Sequence, residues 1–144
     1  MDELDRALAA AQERYEAALR AEVDEKVRTQ EAIAWFGQWA NQVGLPTLTR
    51  LAERLLAAGH KAVVSPTLSP TAEVITDITF TFTQQNGPGN CVIEFRRGNE
   101  KSVAVFFAVN GTQGTGGRVD PPDPVTVDRF AQTYVIQALD GPSW

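Results

Sequence analysis

A cysteine–histidine nucleophile pair could be drawn from only one residue of each type in this chain. His60 is the only histidine and Cys91 the only cysteine among 144 residues. A cysteine nucleophile needs a base within hydrogen-bond reach and a nearby cation or helix N-terminus that favours the thiolate. Cys91 instead begins an apolar run predicted as a strand, and His60 follows a glycine predicted to end a helix. We therefore expect a buried thiol and a structural histidine at a helix C-terminus, and no catalytic pair.

Carboxylates are the remaining candidates for acid–base work or metal binding. Glu73 and Asp77 share the polar face of one predicted strand, and Glu94 lies beside them if the next strand forms a hairpin. Two carboxyl groups in a shielded cleft can divide acid and base roles, but this threonine-rich face predicts solvated side chains. Asp120 and Asp123 flank two prolines without the spacing of a calcium loop. The sequence thus predicts no catalytic residue, no metal site and no cofactor.

Two features suggest anion binding. Arg96, Arg97 and Lys101 surround a predicted turn and are interleaved with acids, so local salt bridges are the simpler interpretation and a small anionic ligand or acidic partner the alternative. The glycine-rich stretch 111–117 has no Gly-Lys-Ser/Thr and does not lead directly into a helix, as a phosphate-binding loop would. We therefore predict an irregular connection over 110–124, able to act as a lid or contact loop.

Composition sets the class of protein. A mass of 15.7 kDa with 43% hydrophobic residues suits one domain with a core of its own. The net charge of −5 repels phosphate backbones and anionic lipids, so neither a nucleic acid nor a membrane is an expected partner. The start MDELDRALAA lacks the basic region and apolar run of a signal peptide. The predicted location is the cytoplasm.

Residues 2–43 are predicted to be helical, because they contain no proline and one glycine. The second part carries Trp35, Phe36 and Trp39, which predict a core-facing end. About forty helical residues span roughly 60 Å, whereas a domain of this length has a radius of gyration of about 14–15 Å. We therefore expect residues 1–30 to form a projecting or pairing helical segment and residues 31–144 a single α+β domain. The alternative is a break near residues 28–31 that folds the first part back.

The later elements follow from hydrophobic period and turn residues. Gly44-Leu45-Pro46 is predicted to end the first helix, and Thr47 to cap a second one over 48–58. Period-two alternation predicts strands over 61–65, 73–84, 91–97 and 101–109. A final helix is predicted over 126–139, capped by Asp123 or Thr126.

No strand–helix–strand alternation is present, so the predicted class is α+β. The arrangement has a long N-terminal helix, a short second helix, an antiparallel sheet of about four strands in meander order, and a C-terminal helix.

The favoured function is non-enzymatic protein–protein interaction, of the adaptor, chaperone-like, immunity or inhibitor type. The chain would form a homodimer or bind another protein through an apolar stripe on its first helix, comprising Leu4, Leu8, Tyr15, Leu19, Val23 and Val27. One alternative is a small-ligand-binding protein or enzyme with a pocket between sheet and helices. Another is a structural subunit of a larger assembly. Interaction is favoured because nucleophiles and metal ligands are scarce while the first helix is too long for its own domain.

Overall fold

The computed structural model describes residues 2–70 and 74–140. Contacts divide the chain into two compact units, residues 1–31 and 32–144. The described elements, in chain order, are α1 (Glu3–Trp39), a π-helical turn (Ala40–Gly44), α2 (Leu45–Ala57), β1 (Lys61–Leu68), β2 (Ile75–Thr83), β3 (Asn90–Arg97), β4 (Val103–Val109), β5 (Thr112–Arg118) and α3 (Pro124–Asp140). The predicted α+β class is confirmed.

The five strands form one antiparallel sheet in the order β1-β2-β3-β4-β5, which confirms the predicted meander. Every second residue of β2 points to the buried face, where Ile78, Phe80 and Phe82 are fully enclosed. Helix α2 packs on β1, and α3 packs on β3 and β4. The core lies between these helices and one face of the sheet.

Strand β2 begins later than predicted, at Ile75. The register with β1 shifts between Thr67 and Leu68, so that Leu68 pairs with Ile75 and Thr67 with Asp77. This bulge turns Ile75 inward in place of Thr76. Glu73, predicted on the same strand, lies outside the described residues.

The glycine-rich stretch is a strand, so the prediction of an irregular connection over 110–124 is wrong. Strand β5 pairs with β4 at the edge of the sheet. A side chain at Gly114 would place its Cβ 2.7 Å from the ring of Phe107. That ring stacks on Tyr134 with centroids 4.3 Å apart. Aromatic rings thus occupy the space that β5 side chains would need, which is why glycine suits this edge strand.

The helix does not end at Gly44-Leu45-Pro46, and that prediction is also wrong. The π-helical turn joins α1 to α2, and the Leu45 N–H donates to the Ala40 carbonyl. Proline lacks an N–H, and its ring clashes with the carbonyl four residues earlier in a regular helix. The wider turn accommodates Pro46 without interrupting the helical path. Thr47 is accordingly a buried helical residue and not an N-cap.

The aromatic end of α1 belongs to the core, as predicted. Phe36 and Trp39 are 1% and 5% exposed, and Trp35 packs against them. The indole Nε1 of Trp39 donates to the Pro122 carbonyl at 2.9 Å. This bond ties the end of α1 to the segment that leads into α3.

Two helix predictions remain, namely whether α1 breaks near residues 28–31 and which residue caps α3. Helix α1 is one α-helix from Glu3 to Trp39, so the alternative of a break near residues 28–31 is wrong. Helix α3 begins at Pro124, and its Thr126 N–H donates to Asp123 Oδ1 at 2.8 Å. Asp123 is therefore the N-cap, with proline at the first helical position.

Candidate interaction surface

Residues 2–31 form a helix whose local sequence supports it. Asp2 accepts the Asp5 N–H through Oδ1 at 2.9 Å, and Glu3 and Asp5 place acids in the first turn. Negative charge there is favourable because the first amides of a helix carry partial positive charge. Further along, Lys26 Nζ lies 3.8 Å from Glu22 Oε1 in an i,i+4 ion pair. Seven alanines add strong helix propensity.

The six predicted partner-binding residues are all exposed on this helix. Their exposed fractions are 64% for Leu4, 60% for Leu8, 61% for Tyr15, 43% for Leu19, 57% for Val23 and 46% for Val27. Single exposed apolar residues are common on protein surfaces, but a row of large ones is typical of a contact surface.

The six residues do not form one straight row. A regular α-helix advances about 100° per residue, so Leu4, Leu8, Tyr15 and Leu19 fall within an arc of about 60°. Val23 and Val27 lie about 40° and 80° beyond Leu19 around the same helix. We use the term "leucine row" for Leu4, Leu8, Tyr15 and Leu19. The leucine row is the part of the stripe that one straight partner helix can cover.

Alanines flank the leucine row, and the sequence-based prediction did not include them in the site. Ala7, Ala11 and Ala18 point towards the same side of α1, and each is exposed. Alanine leaves room for a neighbouring side chain to approach the backbone closely. The signal was present in the sequence as the spacing Leu8, Ala11, Tyr15, Ala18, which alternates large and small residues at steps of three and four.

His60 and Cys91 have separate environments. The Gln85 N–H donates to His60 Nδ1 at 3.1 Å. The imidazole and the Phe82 ring pack in a T-shaped arrangement with their centroids 5.5 Å apart. Cys91 is fully buried, and burial raises the pKa of its thiol to about 12. A thiol that holds its proton so strongly is a poor nucleophile.

Charged residues on the open face of the sheet pair with one another. Arg96 Nε donates to Glu94 Oε2 at 2.7 Å, and a second nitrogen of the same guanidinium contacts that oxygen. The guanidinium also lies 4.5 Å from the centroid of the Phe106 ring. Arg96 and Glu94 thus form the local salt bridge that the sequence predicted. Asp77 lies opposite Arg96 in the register of β2 with β3. Glu94, Arg96 and Phe106 line a shallow depression of about 430 Å³.

A second groove lies between α2 and the first turn of α3. It measures about 400 Å³ and is lined by Thr47, Arg50, Arg54 and Asp128. The Thr47 hydroxyl oxygen is buried without a hydrogen-bond partner among the described residues. The Asp128 carboxylate offsets part of the positive charge of the two arginines, which leaves the charged lining of this groove at a net +1.

Within the described ranges, no three His, Cys, Asp or Glu side chains group so as to hold a metal ion. The described helices include none with the length and apolar character needed to cross a membrane. Comparison of the chain with family models, with curated proteins and with solved structures finds no match. The function is therefore inferred from the surfaces of the chain itself.

Proposed function

We propose that this protein is a non-enzymatic, cytoplasmic interaction protein of the adaptor, chaperone-like, immunity or inhibitor type. Its working surface is the leucine row of α1, with Val23 and Val27 extending it. The occupant of that surface is a second copy of the chain. The observation that carries the proposal is a row of four large apolar side chains, each 43–64% exposed, on one side of a long helix.

The free energies limit the proposed dimer to about micromolar strength. Fully burying a large apolar side chain stabilises by about 1.5–3 kcal/mol, and roughly half of each leucine-row side chain is still exposed. Two copies would bury eight such side chains, a gain of roughly 6–12 kcal/mol. Association costs about 4–15 kcal/mol in lost translational and rotational freedom. Only the most favourable combination, a gain of about 12 kcal/mol against a cost of about 4 kcal/mol, leaves about 8 kcal/mol, which corresponds to a dissociation constant of about 1 μM. Self-association should therefore depend on concentration and be no tighter than micromolar.

Sedimentation equilibrium of the full chain, from about 1 to about 100 μM, measures this association. Wild type should pass from monomer to dimer over that range. The double variant Leu8→Gln, Tyr15→Gln should stay monomeric, because it places two amides in the contact. The matched control Ala10→Gln, Ala17→Gln carries the same new groups, at the same seven-residue spacing, on the other side of α1 and should dimerise as wild type does.

Circular dichroism of each variant shows whether the helix content is preserved. A wild-type chain that is monomeric at all concentrations would overturn the proposal. So would a dimer that the leucine-row variant leaves unchanged, since the contact would then lie elsewhere.

A further inference from the structure

Large and small residues alternate along α1 with the spacing of a helix–helix contact. Leu8 and Tyr15 are seven residues apart, and so are Ala11 and Ala18. Ala11 lies between the two large residues in the sequence, and Ala18 follows Tyr15. In heptad terms the large residues occupy one core position and the alanines the other. This asymmetry carries information about how two copies pair, and an inference drawn from it rests on the proposed function.

A parallel pair in register fits this pattern poorly. Each residue would face its own copy, so that Leu8 meets Leu8 and Tyr15 meets Tyr15. The layers between them would hold two alanines each. Thick layers would keep the helices apart while thin layers left voids, and voids cost about 24 cal/mol per Å³.

An antiparallel pair fits it well. With a two-fold axis level with Glu13, Leu8 of one copy lies opposite Ala18 of the second copy. Tyr15 lies opposite Ala11 of the second copy in the same way. The four layers formed by residues 8, 11, 15 and 18 of both copies then each contain one large and one small side chain, and the two helices approach evenly over these layers.

We infer that two copies of the chain pair through antiparallel α1 helices, with Leu8 and Tyr15 of each copy packed against Ala18 and Ala11 of the other. The contact is isologous, since each residue pair occurs twice about the two-fold axis.

Disulfide trapping in the full chain tests the direction. In the antiparallel pair, residue 18 of one copy lies about 15 Å along the axis from residue 18 of the other, while a disulfide spans at most about 7 Å between Cα atoms. Ala18→Cys alone should therefore not link to itself. A mixture of Ala18→Cys and Leu8→Cys chains, distinguished by mass, should form the mixed 8–18 disulfide at least about tenfold more than either self-linked product. The buried Cys91 stays in place, and wild type reports its background.

Three other outcomes overturn the inference, and they differ in what else they overturn. Efficient self-linking of Ala18→Cys would mean a parallel pair and leave the proposed function standing. Absence of every disulfide in a wild-type dimer would place the contact outside α1. Absence of every disulfide in a wild-type monomer would overturn the proposed function together with the inference.

Discussion

Cys91 shows how the surroundings of one residue decide its chemistry. Its position at the start of β3 puts the thiol on the enclosed face of the sheet, where it is fully buried. Burial disfavours the thiolate, which would lose its solvation by water, and so raises the pKa of the thiol from 9.0 to about 12. The only cysteine of the chain is thus a small packing residue of the core.

This environment predicts low reactivity of Cys91 towards a disulfide reagent at pH 8. A rise in pKa from 9.0 to about 12 corresponds to about a thousandfold less thiolate than a free thiol carries. We expect labelling to be slower by about that factor in the native protein and to become rapid in denaturant. The exposed thiol that Ala17→Cys introduces on the opposite side of α1 provides the control. Rapid labelling of native wild type would mean that Cys91 is accessible.

At the scale of elements, the π-helical turn shows what allows α1 and α2 to pass closely over the sheet. Gly44 ends this turn and is buried. A Cβ at this position would lie 2.7 Å from Ile78 Cδ1 and 3.0 Å from the Trp39 ring. Ile78 is fully enclosed, so it has little room to yield. The absence of a side chain at residue 44 therefore permits the close approach of helix and strand.

Replacing Gly44 by alanine should lower stability, although alanine is the better helix former. The gain in helix propensity is about 1 kcal/mol, whereas overpacking a core costs about 1–3 kcal/mol. We expect the clash to prevail and the urea midpoint to fall. Thr49→Ala, at an exposed position of α2, should leave the midpoint unchanged or raise it slightly. A Gly44→Ala midpoint at or above that of wild type would contradict the packing argument.

The elements with a clear hydrophobic period could be predicted from the sequence, and those shaped by distant residues could not. Strand β2 alternates residue by residue, and α3 has a capping aspartate before proline. Strand β5 has almost no side-chain pattern, because its glycines leave the space that the side chains of Phe107 and Tyr134 occupy. Likewise, nothing adjacent to Pro46 in the chain indicates that a π-helical turn will accommodate the proline within a continuous helical path.

The candidate surface could be located from the sequence because the spacing of an exposed stripe on a helix is local information. What the stripe contacts depends on a second molecule, and its role stays a prediction. The alanines show the same limit. Their proposed packing role appears only when a second helix is placed against Leu8 and Tyr15.

For the whole molecule, charge is distributed unevenly along the chain. Residues 2–31 contain nine acidic and five basic side chains, so they carry most of the net charge of −5. Two copies joined through this segment repel each other at long range, whatever their direction. The apolar contact must therefore overcome an electrostatic cost that depends on ionic strength.

Added salt should accordingly strengthen the dimer. The screening length falls from about 30 Å at 0.01 M salt to about 8 Å at 0.15 M. We expect the dissociation constant to fall several-fold over that range, measured by sedimentation. The Ala10→Gln, Ala17→Gln control should respond as wild type does. A dissociation constant that rises with salt would instead indicate that opposite charges hold the copies together.

The meander order also bears on how the chain reaches its folded state. Each strand pairs with its neighbour in sequence, so the sheet can assemble hairpin by hairpin with short loop closures. The bond from Trp39 to the Pro122 carbonyl joins residues 83 positions apart and requires both ends of the unit to be in place. Since distant contacts incur the larger loss of chain entropy, we expect the hairpins to form early and the closing of the helices over the sheet to set the folding rate.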